Sequence, residues 1–286
     1  MRKNKILYYF INIVFIAVAF SFVNFNLLFH NDRLFQMFPL VVFLFLVIHF
    51  LRFVRMYLIT LEELIRPSRF VQLYAKTVFV SSLIPFKIGE LFKMYSYGVE
   101  MKKMAEGVVV VFIEKLFDAI VLCPIMLFAV WRGDHISSIV LVLVGFVILA
   151  LIVFSAFGGM YSYLNNFLIR RGGGRKSLIV LKGLEGLKKI YDNIRQTVKG
   201  RFVLLFLLSI FAWMVEGVLL LVMDGGNFSL WVLVTYINDG FFGIANDNFS
   251  YYTCLCAVVF LVILLIVYSG KYYNILRKKG VYECLK

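Results

Sequence analysis

Six apolar runs in this sequence are each long enough to cross a lipid bilayer as an α-helix. A hydrocarbon core about 30 Å thick requires roughly 20 apolar residues. Hydrophobic residues make up 62 % of the 286 residues, whereas soluble domains contain about 45–50 %. A chain of this size cannot bury that much apolar surface in water, so we predict a membrane protein and exclude a soluble enzyme and a secreted disulfide scaffold. The six runs are 6–29, 36–58, 107–130, 136–157, 202–223 and 251–270.

Two further apolar stretches are too short or too interrupted to cross the bilayer. Residues 70–84 end at Pro85, and residues 228–250 contain several asparagines, aspartates and glycines. Such stretches are typical of half-helices that enter the membrane and return on the same side. We therefore predict an all-α fold, a polytopic membrane helix bundle of about six full spans plus two re-entrant or broken segments. The alternative for 70–84 is a helix lying flat at the membrane surface.

The charge between the spans predicts the orientation of the chain. Its formal net charge is +14, and cytoplasmic loops carry the excess of Lys and Arg. The rule gives a multi-pass protein of the plasma (inner) membrane with both termini cytoplasmic. The two broken segments then enter from opposite sides, as in inverted-repeat transporters. The basic segments are 1–5, 52–69, 85–106, 158–201 and 271–286, and those without excess positive charge are 30–35, 131–135 and 224–229.

We interpret residues 1–286 as a single transmembrane domain. A first half, 1–157, is followed by a basic cytoplasmic loop, 158–201, a second half, 202–270, and a basic tail, 271–286. Within the loop, leucines recur at steps of three residues between Lys and Arg, which predicts an amphipathic helix over 175–200 on the anionic inner leaflet.

Charged residues near the ends of the predicted spans are the strongest functional signal. Glu90 and Lys93 share one helix face, as do Glu114 and Asp118. A charge within a span costs about 2.5–3.5 kcal/mol, so such residues pair or line a polar cavity. We expect the basic members to face the acidic ones in a cavity for a lipid phosphate; the alternative is interhelix salt bridges that only fix packing. The candidate binding residues are Arg52, Arg55, Lys87, Gly89, Glu90, Lys93, Glu114 and Asp118.

The second half offers two weaker candidates. Glu216 lies in the middle of the 202–223 span and requires an ionic partner, a hydrogen bond or a proton. Asp239 lies in the outer broken segment.

Other chemistries find no support in the residue pattern. His30, His49 and His135 are too scattered for a metal site, and we expect each of them in a loop or at the membrane interface. The four cysteines have no metal-ligand spacing, and no phosphate-binding loop or protease motif is present. We therefore expect no metal, no cofactor, no nucleic acid partner and no enzymatic activity. A membrane enzyme using Glu114 and Asp118 as an acid–base pair is a weaker alternative.

The sequence Pro85-Phe-Lys-Ile-Gly-Glu-Leu-Phe-Lys93, followed by Glu114-Lys-Leu-Phe-Asp118, resembles the lysylphosphatidylglycerol synthase transmembrane (flippase-like) family. That family has Pro-Gly-Arg-x-Gly-Glu-x-x-Arg and then Glu-Arg-x-x-Asp, with an arginine pair where Arg52 and Arg55 stand. The resemblance covers roughly residues 1–160. The family's second motif, Pro-Gly-Gly-x-Gly-x-x-Glu, is replaced by a stretch from Asp239 that lacks the Pro and the Glu.

The resemblance implies a stand-alone flippase-like membrane protein without a synthase domain. Its substrate would be an anionic phospholipid or a polyprenyl-phosphate-linked glycan. The alternative function is a non-catalytic membrane scaffold for a separate glycosyltransferase or lipid synthase in cell-envelope synthesis.

Overall fold

The computed structural model describes residues 2–21, 37–63, 65–84, 88–132, 138–171, 175–226, 229–242, 250–266 and 269. Within these ranges the regular structure is entirely helical. The helices are α1 (Arg2–Ser21), α2 (Phe38–Ile59), α3 (Pro67–Leu83), α4 (Ile88–Glu100), α5 (Met104–Trp131), α6 (Ser138–Arg171), α7 (Arg175–Val198), α8 (Phe202–Met223), α9 (Leu230–Phe242) and α10 (Ser250–Ile266), with a 3₁₀ turn at Leu61–Glu63.

The prediction of a polytopic helical bundle is confirmed. Helices α2, α6 and α8 are long and apolar enough to cross a membrane, and Tyr8–Ser21 and Ser250–Ile266 are shorter apolar helices. Helix α5 has 28 residues but carries charged side chains in its middle. Many apolar side chains on α6 and α8 are exposed, as expected for surfaces that lipid solvates. The predicted span 6–29 is described only as far as Ser21.

Helices α3 and α4 form a helical hairpin. A Cβ atom at Gly89 would lie 2.4 Å from the Cα atom of Ser81, so the two backbones touch close to where α3 ends and α4 begins. Helix α3, with 17 residues, is about 25 Å long, which is shorter than the hydrocarbon core. Its residues are mostly buried in the bundle, whereas a helix lying flat at the surface would expose one face. These features favour the re-entrant interpretation of 70–84.

Helices α9 and α10 contact each other through aromatic side chains. Helix α9 ends at Phe242, and residues 243–249 lie outside the described ranges. The rings of Tyr236 on α9 and Tyr252 on α10 contact each other with centroids 5.7 Å apart. The interrupted segment 228–250 therefore contains a helix of 13 residues that is too short to cross a bilayer.

Helix α6 extends further than the sequence pattern indicates. It runs for 34 residues, about 50 Å, across the predicted boundary between residues 157 and 158. The predicted amphipathic helix forms α7, which packs back along α6: the Tyr191 hydroxyl donates to the Phe154 carbonyl at 3.3 Å. Leu184 and Ile194 are buried, whereas Leu178 and Leu187 are exposed. The expected contact of α7 with the inner leaflet stays a prediction.

Candidate functional site

A polar cavity of about 160 Å³ lies between the tips of the two broken segments. Ser81, Ser82 and Glu90, beside the α3–α4 break, line one side. Gly240 near the end of α9 and Tyr252 near the start of α10 line another. The other described lining residues are His49, Arg52, Tyr74, Val78, Lys93, Glu114, Lys115, Asp118, Trp213, Glu216, Tyr236 and Ile237.

Arg55 is the most completely buried cation beside this cavity, with a relative exposure of 1 %. Its guanidinium donates to both carboxylate oxygens of Asp118, at 2.6 and 3.2 Å, and to the Ser209 hydroxyl at 2.7 Å. Glu114 lies 3.7 Å away. The Trp213 indole N–H also donates to Asp118, at 3.1 Å. A two-pronged pair of this kind fixes the orientation of both side chains.

Two lysine–glutamate pairs connect α4 to α5. The Lys93 ammonium donates to the two oxygens of Glu114, at 2.8 and 2.6 Å. Lys115 pairs with Glu90 across the α4–α5 interface, at 2.8 Å. The sequence predicted Lys93, Glu114 and Glu90 around one polar cavity, which they line, but it missed Lys115, which lies next to Glu114 in the same motif.

Arg52 has a partner that the sequence analysis does not assign to it. We expected it to face Glu90, Glu114 or Asp118, but it forms a salt bridge with Glu216 of α8. The Tyr236 hydroxyl donates to the other oxygen of Glu216, at 3.0 Å. Glu216 therefore has both an ionic partner and a hydrogen bond. A carboxylate in the middle of a span needs at least one such partner.

His49 corrects one expectation. We expected it in a loop or at the interface, but it is buried in α2 and lines the cavity. One ring nitrogen lies 3.2 Å from the Tyr252 hydroxyl and the other 3.4 Å from the Tyr74 hydroxyl. Because α2 is a continuous apolar helix, a polar residue in its middle is stable only with such partners.

The remaining candidates occupy different places. Gly89 holds the hairpin together, and Asp239 is buried on α9 but is not among the described cavity-lining residues. Lys87, His30 and His135 lie outside the described ranges. No cluster of potential metal ligands occurs in the part of the chain that the structure describes. Sequence reasoning missed Lys115, Tyr74, Trp213, Tyr236 and Tyr252.

The eight paired side chains form what we call the central ion cluster, and their formal charges balance. Four cations face four carboxylates among the described residues. A balanced and hydrogen-bonded set is the form in which charges are stable at low dielectric. The members are Arg52, Arg55, Lys93, Lys115, Glu90, Glu114, Asp118 and Glu216.

An apolar groove of about 480 Å³ adjoins the polar cavity. Helices α4, α5, α6, α8 and α9 line it, with side chains such as Phe112, Leu143 and Phe146. Glu90, Lys115, Asp118 and Trp213 line both spaces. A charged space and an apolar space thus share a boundary, which is the arrangement that fits an amphiphile.

One comparison with known proteins finds a match. The sequence profile of a protein family described as "Lysylphosphatidylglycerol synthase TM region" matches residues 6–223 of the chain. No curated protein and no solved structure matches the chain. The match includes the central ion cluster and ends before α9 and α10.

Proposed function

The chain belongs to the lysylphosphatidylglycerol synthase transmembrane-region family, and we propose that it binds and translocates a lipid with an anionic head. The lipid is an anionic phospholipid or a polyprenyl-phosphate-linked glycan, and the protein acts as a flippase-like carrier without chemical turnover. The observation that carries this proposal is the central ion cluster at the junction of a polar cavity and an apolar groove.

The head binds by exchange of ionic partners. A phosphate offers oxygens to the guanidinium of Arg52, which is the geometry that guanidinium groups bind best. Arg52 is more accessible than Arg55, with 19 % of its side chain exposed against 1 %, and it lines the cavity. Arg55 stays bound to Asp118 and keeps the shape of the cluster.

The lipid tail lies in the apolar groove. The groove wall between Phe112 and Phe146 is apolar and continues to Ile139 on α6. A tail in this groove keeps its contacts with apolar groups, at about 25 cal/mol per Å² of buried surface. The Glu90–Lys115 pair then lies between head and tail, because both residues line both spaces.

Translocation requires the two hairpin tips to move apart in turn. Described residues beside both tips line the cavity, so we expect a change at either one to open it. We propose that the α3–α4 hairpin enters from the cytoplasmic leaflet and the α9–α10 pair from the outer leaflet of the plasma membrane, with both termini cytoplasmic. Basic side chains at the open end of the first hairpin support this orientation; they are Arg66, Arg69, Lys102 and Lys103.

The test is headgroup movement in proteoliposomes. Dithionite removes the fluorescence of labelled phosphatidylglycerol in the outer leaflet. Label that has moved to the inner leaflet stays protected, so the protected fraction reports movement. We expect Arg52→Ala and Glu90→Ala to reduce movement to the level of protein-free vesicles. Arg69→Ala is the matched control, because Arg69 is 65 % exposed and remote from the cavity, and it should leave movement unchanged.

The same assay distinguishes the two lipid classes. A fluorescent polyprenyl-phosphate sugar replaces phosphatidylglycerol in a second set of vesicles. Faster movement of one lipid identifies the substrate class. Protein-dependent movement that persists in Arg52→Ala contradicts the assigned site, and no movement of either lipid contradicts the proposed function.

A scaffold is the second candidate, and the α6–α7 hairpin favours it. Helix α6 is about 20 Å longer than the hydrocarbon core. Ile169, Leu178 and Ile179 near its far end are all more than half exposed. A separate glycosyltransferase or lipid synthase with an acidic face is the partner that we propose there. Its copurification with the intact chain, and its loss in Leu178→Glu/Ile179→Glu, would support this role.

A further inference from the structure

We infer that binding of an anionic head at the central ion cluster is coupled to the uptake of one proton by Glu216. The inference rests on the proposed function, because it assumes that Arg52 binds the head. It concerns the charge balance of the same site.

The described members of the central ion cluster carry equal numbers of positive and negative charges, and each cation has a carboxylate within 4 Å. An anionic head that takes Arg52 therefore leaves one carboxylate of these described pairs without its cation. At low dielectric such a charge costs far more than in water, so the favoured response is to neutralise that carboxylate.

Glu216 is the carboxylate that loses its cation when the head binds. Glu216 has a single cationic partner among the described residues, Arg52, whereas Glu114 lies near both Lys93 and Arg55. Asp118 is fixed by Arg55 and Trp213. When the head takes Arg52, only Glu216 loses its ion pair. Glu216 is 2 % exposed, so its free carboxylate is hydrated less than a carboxylate in bulk water.

The surroundings of Glu216 allow it to hold a proton. Tyr236 of α9 donates to one oxygen and Arg52 of α2 to the other. Asp118 of α5 and Tyr252 of α10 also face the cavity beside it, and His49 lies beyond Tyr252. After Arg52 moves to the phosphate, the free oxygen takes a proton from a hydronium ion that enters the cavity from solution. The O–H bond of the hydronium ion breaks, the O–H bond of the Glu216 carboxyl forms, water remains, and the buffer replaces the proton in solution.

The consequence is reciprocal coupling. If a proton on Glu216 strengthens binding of the head, the head strengthens binding of the proton by the same factor. The lipid then moves together with a proton, and a pH gradient across the membrane drives the movement in one direction.

Calorimetric titration in detergent tests this coupling. Purified protein is titrated near neutral pH with dioctanoyl phosphatidylglycerol in two buffers of different ionisation enthalpy, and the difference in heat gives the protons taken up. We expect about one proton per bound lipid for the wild type and none for Glu216→Gln, which keeps the shape and the hydrogen bond from Tyr236. Glu62→Gln is the matched control, because Glu62 is exposed and pairs with Arg201, and it should behave as the wild type.

Each outcome has a separate meaning. Lipid binding without proton uptake by the wild type overturns the coupling but leaves the proposed function intact. Uptake that persists in Glu216→Gln overturns the assignment to Glu216. The absence of any binding overturns both the coupling and the proposed function.

Discussion

The two hairpin tips meet at one cavity but contribute different chemistry to it. The α3–α4 hairpin supplies Glu90 and Lys93, both in ion pairs with α5. The α9–α10 pair supplies Tyr236, Gly240 and Tyr252, and none of its described cavity-lining residues is charged. The first tip is therefore built for charge recognition and the second for hydrogen bonding to groups that other helices supply.

Close backbone packing accompanies the charged first tip. Gly89 brings α3 and α4 into backbone contact, and Gly107 does the same for α4 and α5, where a Cβ would lie 2.1 Å from the Met94 carbonyl oxygen. Such contacts position the charged side chains of the first tip closely. Substitutions at the first tip should therefore cost more stability than substitutions at the second.

Removal of Lys93 is expected to have the largest effect. Lys93→Met leaves the buried Glu114 with Arg55, the more distant of its two described cationic partners, and breaking a buried pair on one side costs about 3–5 kcal/mol. The measurement is the free energy of unfolding in SDS titrations. The double variant Lys93→Met/Glu114→Gln should recover part of the loss, and simple addition of the two single effects would contradict the pairing.

Gly89→Ala is expected to cause the second-largest loss in the free energy of unfolding. The new methyl group would overlap the Ser81 backbone, and overpacking of this kind costs about 1–3 kcal/mol. Gly217→Ala on α8 is the matched control, since a Cβ atom there would meet no neighbouring group within 4 Å among the described residues. Unfolding titrations should show no loss there, or a gain of about 0.5–1 kcal/mol. Equal losses at both glycines would refute the close contact.

Tyr236→Phe probes the second tip and should cost less than Lys93→Met. It removes the hydrogen bond to the Glu216 carboxylate, and a hydrogen bond to a charged group is worth about 1.5–3 kcal/mol. Tyr163→Phe, at a side chain that is 69 % exposed, serves as the control in the same titration. A loss for Tyr236→Phe as large as that for Lys93→Met would remove the contrast between the tips.

The salt bridge at the open end of the first hairpin should contribute least to the free energy of unfolding. Arg69 and Glu100 join α3 to α4 at 3.5 Å, but Arg69 is largely exposed. Arg69→Ala is expected to change the free energy of unfolding by at most about 1 kcal/mol, and less at high salt. A larger or salt-independent change would show that this pair is shielded from solvent.

The sequence predicted the helical class and most of the first tip, because these signals are local. Apolar length identifies spans, and the spacing of Glu114 and Asp118 places them on one face. The partner of Arg52 could not be predicted, because Glu216 lies 164 positions away and no local pattern links them.

The phenols of the second tip were missed for a different reason. Tyr236 and Tyr252 lie among 16 tyrosines in an apolar chain, where most tyrosines are interpreted as interfacial anchors. Only their contacts with Glu216 and His49 distinguish them. The continuation of α6 past residue 157 was missed because the polar residues after it resemble a loop in composition.

Quenching of Trp213 fluorescence tests the central claim most directly. Trp213 lines both the polar cavity and the apolar groove, and replacing Trp131 and Trp231 with Phe leaves it as the single tryptophan. In nanodiscs of mixed composition, we predict that phosphatidylglycerol with brominated chains quenches Trp213 saturably, and that Arg52→Ala abolishes this preference. Equal quenching by brominated phosphatidylcholine and phosphatidylglycerol, with or without Arg52, would contradict a site for an anionic lipid head.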